Sequence, residues 1–171
     1  MKLNPQTIGR SMPHGFAGTY ARQPDMLVST RAAGENIQFG IGLVYNARGQ
    51  VVLPSDGTKA ADFVGVAAAE IKTALNYLDQ SAGAYAGGEP ASVFQRGAIN
   101  VKCQNGTPAL GGAVYLRLKA SSALPNAVIG GFEAAADSAE GNSVLLPNCE
   151  WAGAADANGI AEMRLKTMNR A

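Results

Sequence analysis

The sequence contains little of the chemistry on which most enzymes depend. Its 171 residues include one histidine, His14, and two cysteines, Cys103 and Cys149. A serine hydrolase needs a histidine base beside its nucleophile, and no Gly-x-Ser-x-Gly motif accompanies His14. A zinc site needs three or four convergent ligands, usually His and Cys, which this composition can hardly supply. We therefore expect no catalytic residue, no metal and no other cofactor.

Phosphate-binding loops and a basic surface are also missing. Gly40-Ile41-Gly42 is not followed by the third glycine of a dinucleotide-binding loop, and no Gly-Lys-Ser/Thr motif exists. The 14 basic residues are scattered and nearly balanced by 13 acidic residues, for a net charge of +1. Because affinity for nucleic acid depends on neutralising many phosphates, we expect no direct nucleic-acid binding.

Long apolar runs are absent. No window approaches the ~18 to 20 apolar residues that span a bilayer. Residues 1–5 also lack the apolar segment of a signal peptide. We therefore expect no membrane contact and synthesis in a cytosol, where Cys103 and Cys149 serve as free, small hydrophobic residues.

Aromatic residues make up only 6% of the chain, yet they leave one alternative function open. Tyr85, Tyr115 and Trp151 could form a stacking platform for sugars, as in a carbohydrate-binding β-sandwich module. Carboxylates in the predicted loops could likewise form a pair for glycoside cleavage, because their spatial separation cannot be read from the sequence.

The sequence is rich in short alternating segments. Ile99, Val101 and Cys103 share one side of an extended chain, and Val114, Leu116 and Leu118 share one side of another, with Tyr115 and Arg117 pointing oppositely. Gly and Pro between these segments favour turns. Further strands are predicted at 36–45, 50–54, 63 to about 73, 128–133, 143–146, 149–152 and 160–168, with loops at 79–90 and 134–143. Within 67–78, alanine content and the spacing of Ile71, Leu75 and Leu78 favour a helix, whereas the neighbouring strands favour a strand that ends near Thr73. Six to nine such strands indicate a β-sandwich, jelly roll or barrel.

The first 26 residues differ from the rest. Glycine and proline recur too often there for a helix or a central strand, which predicts an extended arm, residues 1–26, in front of a single β domain, residues 27–171. The arm contains Phe16, Tyr20, Arg10 and Arg22, which a free tail would not need. The arm is therefore either a contact segment that orders on binding or a tail packed on its own domain.

The order of these signals resembles that of the capsid cement, or decoration, proteins of tailed bacteriophages. Glycines and apolar residues in a fixed order along the chain carry the resemblance, rather than any single motif. The matching segments are Gly15 to Gly18, Arg22 to Asp25, Asn36 to Val44, Phe63 to Ala67, Val93 to Val101, Pro108 to Arg117 and Gly159 to Leu165.

The resemblance implies a mostly β, jelly-roll-like sandwich or barrel with an extended N-terminal arm, and a structural rather than enzymatic role. Such a protein binds the outside of the assembled capsid as a homodimer or homotrimer. It staples neighbouring major capsid protein subunits against the pressure of the packaged genome. It is made in the cytoplasm of the bacterial host and belongs to the virion surface.

Within this interpretation, the arm supplies the capsid contacts. Phe16 and Tyr20 are the expected apolar anchors, and Arg10 and Arg22 the expected partners of acidic groups on the capsid. Gly15 would let the arm bend close to its partner.

Overall fold

The computed structural model describes residues 13–70 and 83–168. These residues form twelve β-strands and one short 3-10 helix, Ala60–Asp62, which confirms the prediction of a mostly β fold. The strands are β1 (Tyr20–Ala32), β2 (Ile37–Gln38), β3 (Gly42–Tyr45), β4 (Val51–Val52), β5 (Phe63–Ala67), β6 (Ala84–Tyr85), β7 (Pro90–Lys102), β8 (Tyr115–Arg117), β9 (Phe132–Glu133), β10 (Ser143–Leu145), β11 (Cys149–Trp151) and β12 (Ile160–Leu165).

Strand β7 is the centre of the main sheet, whose order is β11-β12-β7-β5-β3-β4. Strand β5 pairs with Val93 and Phe94 of β7, and β12 pairs with residues 97–102. Strand β1 also pairs with β7, so that Phe94 lies opposite both Val28 of β1 and Val66 of β5. Further along β7, Ile99 lies opposite both Tyr20 of β1 and Met163 of β12. All these pairings are antiparallel, and β7 therefore joins the N-terminal and C-terminal parts of the chain.

Two smaller sheets cover the two faces of the main sheet. The sheet β10-β8-β9 covers one face, where Leu116 and Phe132 belong to the same buried cluster as Phe63 and Phe94. The pair β2-β6 covers the other, where Ile37 and Tyr85 pack with Val64 and Val93. Neighbouring residues such as Phe63 and Val64 thus point into different cores, as the two-residue period of a strand requires. Fully burying each of these side chains contributes about 1.5 to 3 kcal/mol.

Several predicted boundaries differ from those in the structure. The predicted loop at 79–90 contains β6 and the first residue of β7, and the strand predicted at 128–133 is limited to Phe132–Glu133. The strand predicted from residue 63 to about 73 ends at Ala67, and residues 71–82 lie outside the described part of the chain. The closing strand, predicted at 160–168, ends at Leu165. Ala161, Met163 and Leu165 are buried and Arg164 is exposed, but Ile160 and Glu162, which alternate with the apolar residues, are buried as well.

The burial of Arg117 in β8 was not predicted from the sequence, which placed this side chain opposite to Leu116 and no more. Its guanidinium is fully buried, with Nε donating to Glu133 Oε1 at 2.5 Å and one terminal nitrogen donating to Asp137 Oδ2 at 2.9 Å. Hydrogen bonds from the backbone N–H of Ala139 and from the side chain of Arg117 hold the pKa of Asp137 well below its usual range. Burial raises the pKa of Glu133, and Arg117 opposes that rise. The cluster Arg117, Glu133 and Asp137 is called the buried ion cluster below.

Both cysteines are free, as predicted. Cys149 is buried, and loss of hydration raises the pKa of its thiol to about 12. Cys103 is only half-buried, and its thiol pKa is also raised by burial. Neither thiol therefore ionises appreciably near neutral pH.

Candidate functional site

The predicted arm is partly built into the main sheet. Strand β1 begins at Tyr20, so residues 20–26, which the sequence assigned to the arm, belong to a strand: Tyr20 lies opposite Ile99, and Arg22 opposite Ala98. Between Arg22 and Leu27 the register shifts, because β1 uses more residues than β7 to cover the same distance. This bulge at residues 23–26 contains Pro24, which cannot donate a ladder hydrogen bond.

Residues 13–19, called the arm root here, have no regular secondary structure but are tied to the domain. The side-chain nitrogen of Asn100 donates to the His14 carbonyl at 2.8 Å and to Thr19 Oγ1 at 3.1 Å. The His14 backbone N–H donates to Asp156 Oδ2 at 2.9 Å. The Gly18 N–H donates to the Asn100 carbonyl, and the Gly18 carbonyl accepts from Ala69. The arm root therefore has a fixed position across β7.

The arm root contains one large apolar side chain, Phe16, and 80% of its surface is accessible. Its carbonyl accepts hydrogen bonds from both the backbone N–H and the hydroxyl of Thr19, at 3.2 and 2.8 Å. Gly15, just before it, has a φ of +102°, which glycine adopts without strain. The backbone beneath Phe16 is thus ordered while its ring points into solvent.

Tyr20 makes its contacts within the chain. Its ring packs against Phe94 with a centroid distance of 5.7 Å, and its hydroxyl donates to Glu70. Burial, followed by the hydrogen bond to Glu70, raises the pKa of Tyr20. In the structure, Tyr20 supports the start of β1.

Arg22 also has a partner in its own domain. Its Nε donates to both carboxylate oxygens of Glu162, at 2.8 and 3.0 Å, and the Arg22 side chain remains 66% exposed whereas Glu162 is buried. Arg164 lies 3.5 Å from the same carboxylate. Although burial raises the pKa of Glu162, the hydrogen bond and charge of Arg22, with the charge of Arg164, hold that pKa below its usual value.

Replacing Arg22 tests this ion pair. At pH 7, Arg22→Met is expected to lower the free energy of unfolding by more than Arg96→Met does, because a buried carboxylate loses its closest donor. Glu162 has a depressed pKa in the folded state, so its pairing stabilises fully above the unfolded value of about 4.3 and is lost as the pH falls through the folded pKa. Urea unfolding of both proteins from pH 7 to pH 3 should therefore show the difference shrinking with acid.

The exposed pair between Arg96 and Asp25 provides the matched control. Because neither partner is buried, Arg96→Met should change the stability by less than about 1 kcal/mol at any of these pH values. An Arg22→Met effect that is equally small, or that does not vary with pH, would contradict the role given to Glu162.

A groove of about 370 Å³ opens beside this ion pair, between the β1 bulge and the end of β12. Arg164 and Lys166, on its β12 side, are each roughly half exposed, and Lys166 reaches Glu150 at 3.3 Å. The groove is lined by Arg22, Gln23, Pro24, Asp25, Gly97, Ala98, Arg164, Leu165 and Lys166.

Strand register places these features on one side of the main sheet. Asn100 lies directly opposite Glu162, so that both side chains point to the same face. Asn100 holds the arm root there, Glu162 holds Arg22, and Arg164 follows on the same parity of β12. The polar face, as this surface is called below, comprises the arm root, Arg22, Arg164, Lys166 and the groove.

Only some residues of the polar face could be predicted from the sequence. Phe16, Gly15 and Arg22 do lie on the polar face, whereas Arg10 lies outside the described residues. Asn100, Asp156 and Glu162, which hold the arm root and Arg22, were not singled out. Each is separated from its partner by more than 80 residues, and the alternation of a strand shows which face a residue occupies but not what covers it.

The structure argues against the sugar-stacking alternative. Trp151 is fully buried and Tyr85 is 2% exposed, so neither can offer a ring face to a sugar. Tyr85 instead donates its hydroxyl to the Ala68 carbonyl at 2.6 Å. Within residues 13–70 and 83–168, no three His, Cys, Asp or Glu side chains are grouped so that they could bind a metal ion. The same residues contain no helix long and apolar enough to cross a membrane.

Comparisons with known proteins identify the chain's relatives. A family model described as "Structural cement protein (E217 gp24/Pam3 gp6)" matches residues 4–166. Among solved structures, a chain from "The capsid of Myoviridae Phage XM1" superposes with a TM-score of 0.68 at 15% sequence identity, over 98% of this chain and 99% of that one. At that identity the likeness shows a shared fold. No curated protein matches the chain.

Proposed function

The chain belongs to the family of phage structural cement proteins, and on that premise we propose that it binds the outside of the assembled capsid and staples neighbouring major capsid protein subunits together. The staple resists the outward pressure of the packaged genome. The protein is made in the host cytoplasm and becomes part of the virion surface. The observation that carries this proposal is the family match over residues 4–166.

The polar face supports the proposal because it offers several kinds of contact on one surface. Phe16 supplies exposed apolar area, and Arg22, with Arg164 and Lys166 around the groove, supplies donors for acidic groups. Gly15 permits the bend before Phe16, while Tyr20 fixes the start of β1 beneath them. Arg10, in the segment that precedes the arm root, extends the same contact.

Modest interfaces suffice for this role. A specific interface buries about 800 Å² on each partner, and joining two or more copies in a homodimer or homotrimer raises avidity by roughly 10² to 10⁴. A protein that binds only the assembled shell stabilises it by mass action, by about 2.7 kcal/mol per site at a hundredfold excess over the dissociation constant. Repetition over the shell multiplies this contribution.

Sedimentation with heads tests the proposal. Expanded heads of the phage that encodes this chain, prepared without it, should bind the purified protein and then release their DNA only at a higher temperature. Isolated major capsid subunits should bind it far more weakly, because the staple needs two subunits at once. Failure to bind heads, or binding with no gain in heat resistance, would contradict the proposal.

A truncation tests the first twelve residues separately. Removing residues 1–12 leaves every described contact of the arm root and β1 intact, whereas a deletion that reached residue 24 would remove part of β1. We expect the shortened protein to unfold at the same denaturant concentration as the full chain and to bind heads about tenfold or more weakly, a loss of ~1.4 kcal/mol. Undiminished binding would remove residues 1–12, and Arg10 with them, from the contact.

A further inference from the structure

The exposed ring of Phe16 rests on a backbone that hydrogen bonds hold in place although it has no regular secondary structure. Three amides of the arm root are hydrogen-bonded in the free chain: that of His14 to Asp156, that of Gly18 to Asn100 and that of Thr19 to Phe16. An exposed aromatic side chain on an ordered base is the form that binding anchors take, because little conformational entropy is lost when it is buried.

Asn100 is the central element of this support. It occupies a buried position on β7, with 5% of its surface exposed, where a polar side chain is costly. Its side-chain nitrogen donates to the His14 carbonyl and to Thr19 Oγ1 in the arm root, and within residues 13–70 and 83–168 its buried side-chain oxygen has no hydrogen-bond partner. The domain therefore buries an amide whose hydrogen bonds among the described residues are incomplete, and the bonds that it does make fix the position of residues 14–19.

Thr19 links this support to the backbone of Phe16. Its hydroxyl accepts a hydrogen bond from the Asn100 side chain and donates one to the Phe16 carbonyl. Thr19 therefore connects the buried amide of Asn100 to the backbone of Phe16. Gly18 completes the close fit. Its φ is +87°, and an added Cβ would lie 2.9 Å from the backbone nitrogens of Ala69 and Gly40.

We infer that Phe16 is a preformed apolar knob that inserts into an apolar pocket on the capsid surface, and that Asn100, Thr19 and Asp156 are positioning residues that hold it in place before contact. The inference rests on the proposed function and adds the chemistry of the partner site: an apolar pocket with acidic groups beside it, to match Arg22 on the same face. It also changes the expected behaviour of residues 13–19, which are ordered before binding rather than by it.

Binding to heads prepared without the protein tests the knob. Phe16→Ala should bind about 30-fold or more weakly, as expected for the loss of a central aromatic anchor, while Phe16→Leu retains most of the affinity. Leu110→Ala is the matched control, because Leu110 is 79% exposed on a different loop and should bind within about twofold of the unaltered chain. Neither side chain is buried, so both variants should fold normally.

Hydrogen exchange of the free protein tests the support. The amides of His14, Gly18 and Thr19 should exchange much more slowly than those of an unstructured peptide. Thr19→Val removes the hydroxyl but keeps the shape of the side chain, and it should speed exchange at His14 and Gly18 and weaken head binding several-fold. Thr19→Ser, which keeps the hydroxyl, should restore both.

The outcomes separate this inference from the proposed function. If the unaltered chain binds heads and Phe16→Ala binds equally well, the knob is overturned and the cement role stands. If the three amides exchange at unstructured rates, the preformed support is overturned. A chain that does not bind heads at all would overturn both proposals.

Discussion

Arg117→Met is expected to destabilise the domain by about 3 to 5 kcal/mol at pH 7, the usual cost of removing one partner from a buried ion pair. The replacement has a similar length but carries no charge. Glu133 and Asp137, both buried, would then face each other without the cation that neutralises them. Denaturant unfolding followed by Trp151 fluorescence measures the loss, since Trp151 is fully buried.

Lys119→Met is the control for this prediction. Lys119 lies two residues further along the chain and pairs with Asp56 at 2.9 Å, but both side chains are substantially exposed. Its replacement should cost less than about 1 kcal/mol. If the two variants were equally stable, the buried ion cluster would not be the structural element we describe.

Gly97→Ala is expected to destabilise the domain by about 3 kcal/mol or more, through backbone strain and overpacking together. Gly97 has a φ of +111°, and an added Cβ would lie 2.3 Å from the carbonyl oxygen of Asp25 in the β1 bulge. The methyl group would therefore push β1 away from β7, next to Arg22 and the arm root. Thermal and denaturant unfolding both report this loss.

Gly88→Ala separates the two causes. Gly88 has a φ of +87°, but no atom of the described part of the chain lies within 4 Å of its added Cβ. Gly88→Ala should therefore lower the free energy of unfolding through backbone strain alone, by about 1 to 2 kcal/mol. If Gly97→Ala and Gly88→Ala lost equal stability, the close approach of β1 to Gly97 would not contribute to the effect of Gly97→Ala.

The strands of the main sheet could be predicted from the sequence where one face is apolar. Ile99 and Val101 on β7, and Ala161 and Met163 on β12, are buried as their two-residue spacing predicted. The order of such segments was also enough to indicate the family, because glycines and apolar residues record where a chain turns and which side it buries.

Alternation could not show the burial of Arg117, because it does not include long-range charge pairing. A polar residue on a strand is assigned to solvent by its type, and only the fold brings Glu133 and Asp137 to it, 16 and 20 residues later. Arg117 can be buried because both carboxylates satisfy its donors, a condition that a single sequence does not display.

The arm was misjudged in extent for a related reason. Prolines and glycines up to Pro24 argued against a helix or a central strand and for an arm outside the domain, yet Tyr20 and Arg22 pair with β7 and a bulge accommodates Pro24. Among the described strands β1 pairs only with β7, and prolines are tolerated at such edges and bulges. The residue that could have indicated this pairing is Gly97, because a glycine within a strand commonly marks the close approach of another backbone.

Cryo-electron microscopy of heads carrying this chain is the most direct test of the central claim. We predict density for the β domain on the outside of the shell, across the seam between neighbouring major capsid subunits, with the polar face turned toward them and Phe16 inserted in a pocket. Heads without external density for this chain, or density that touches one subunit only with the polar face turned to solvent, would contradict it.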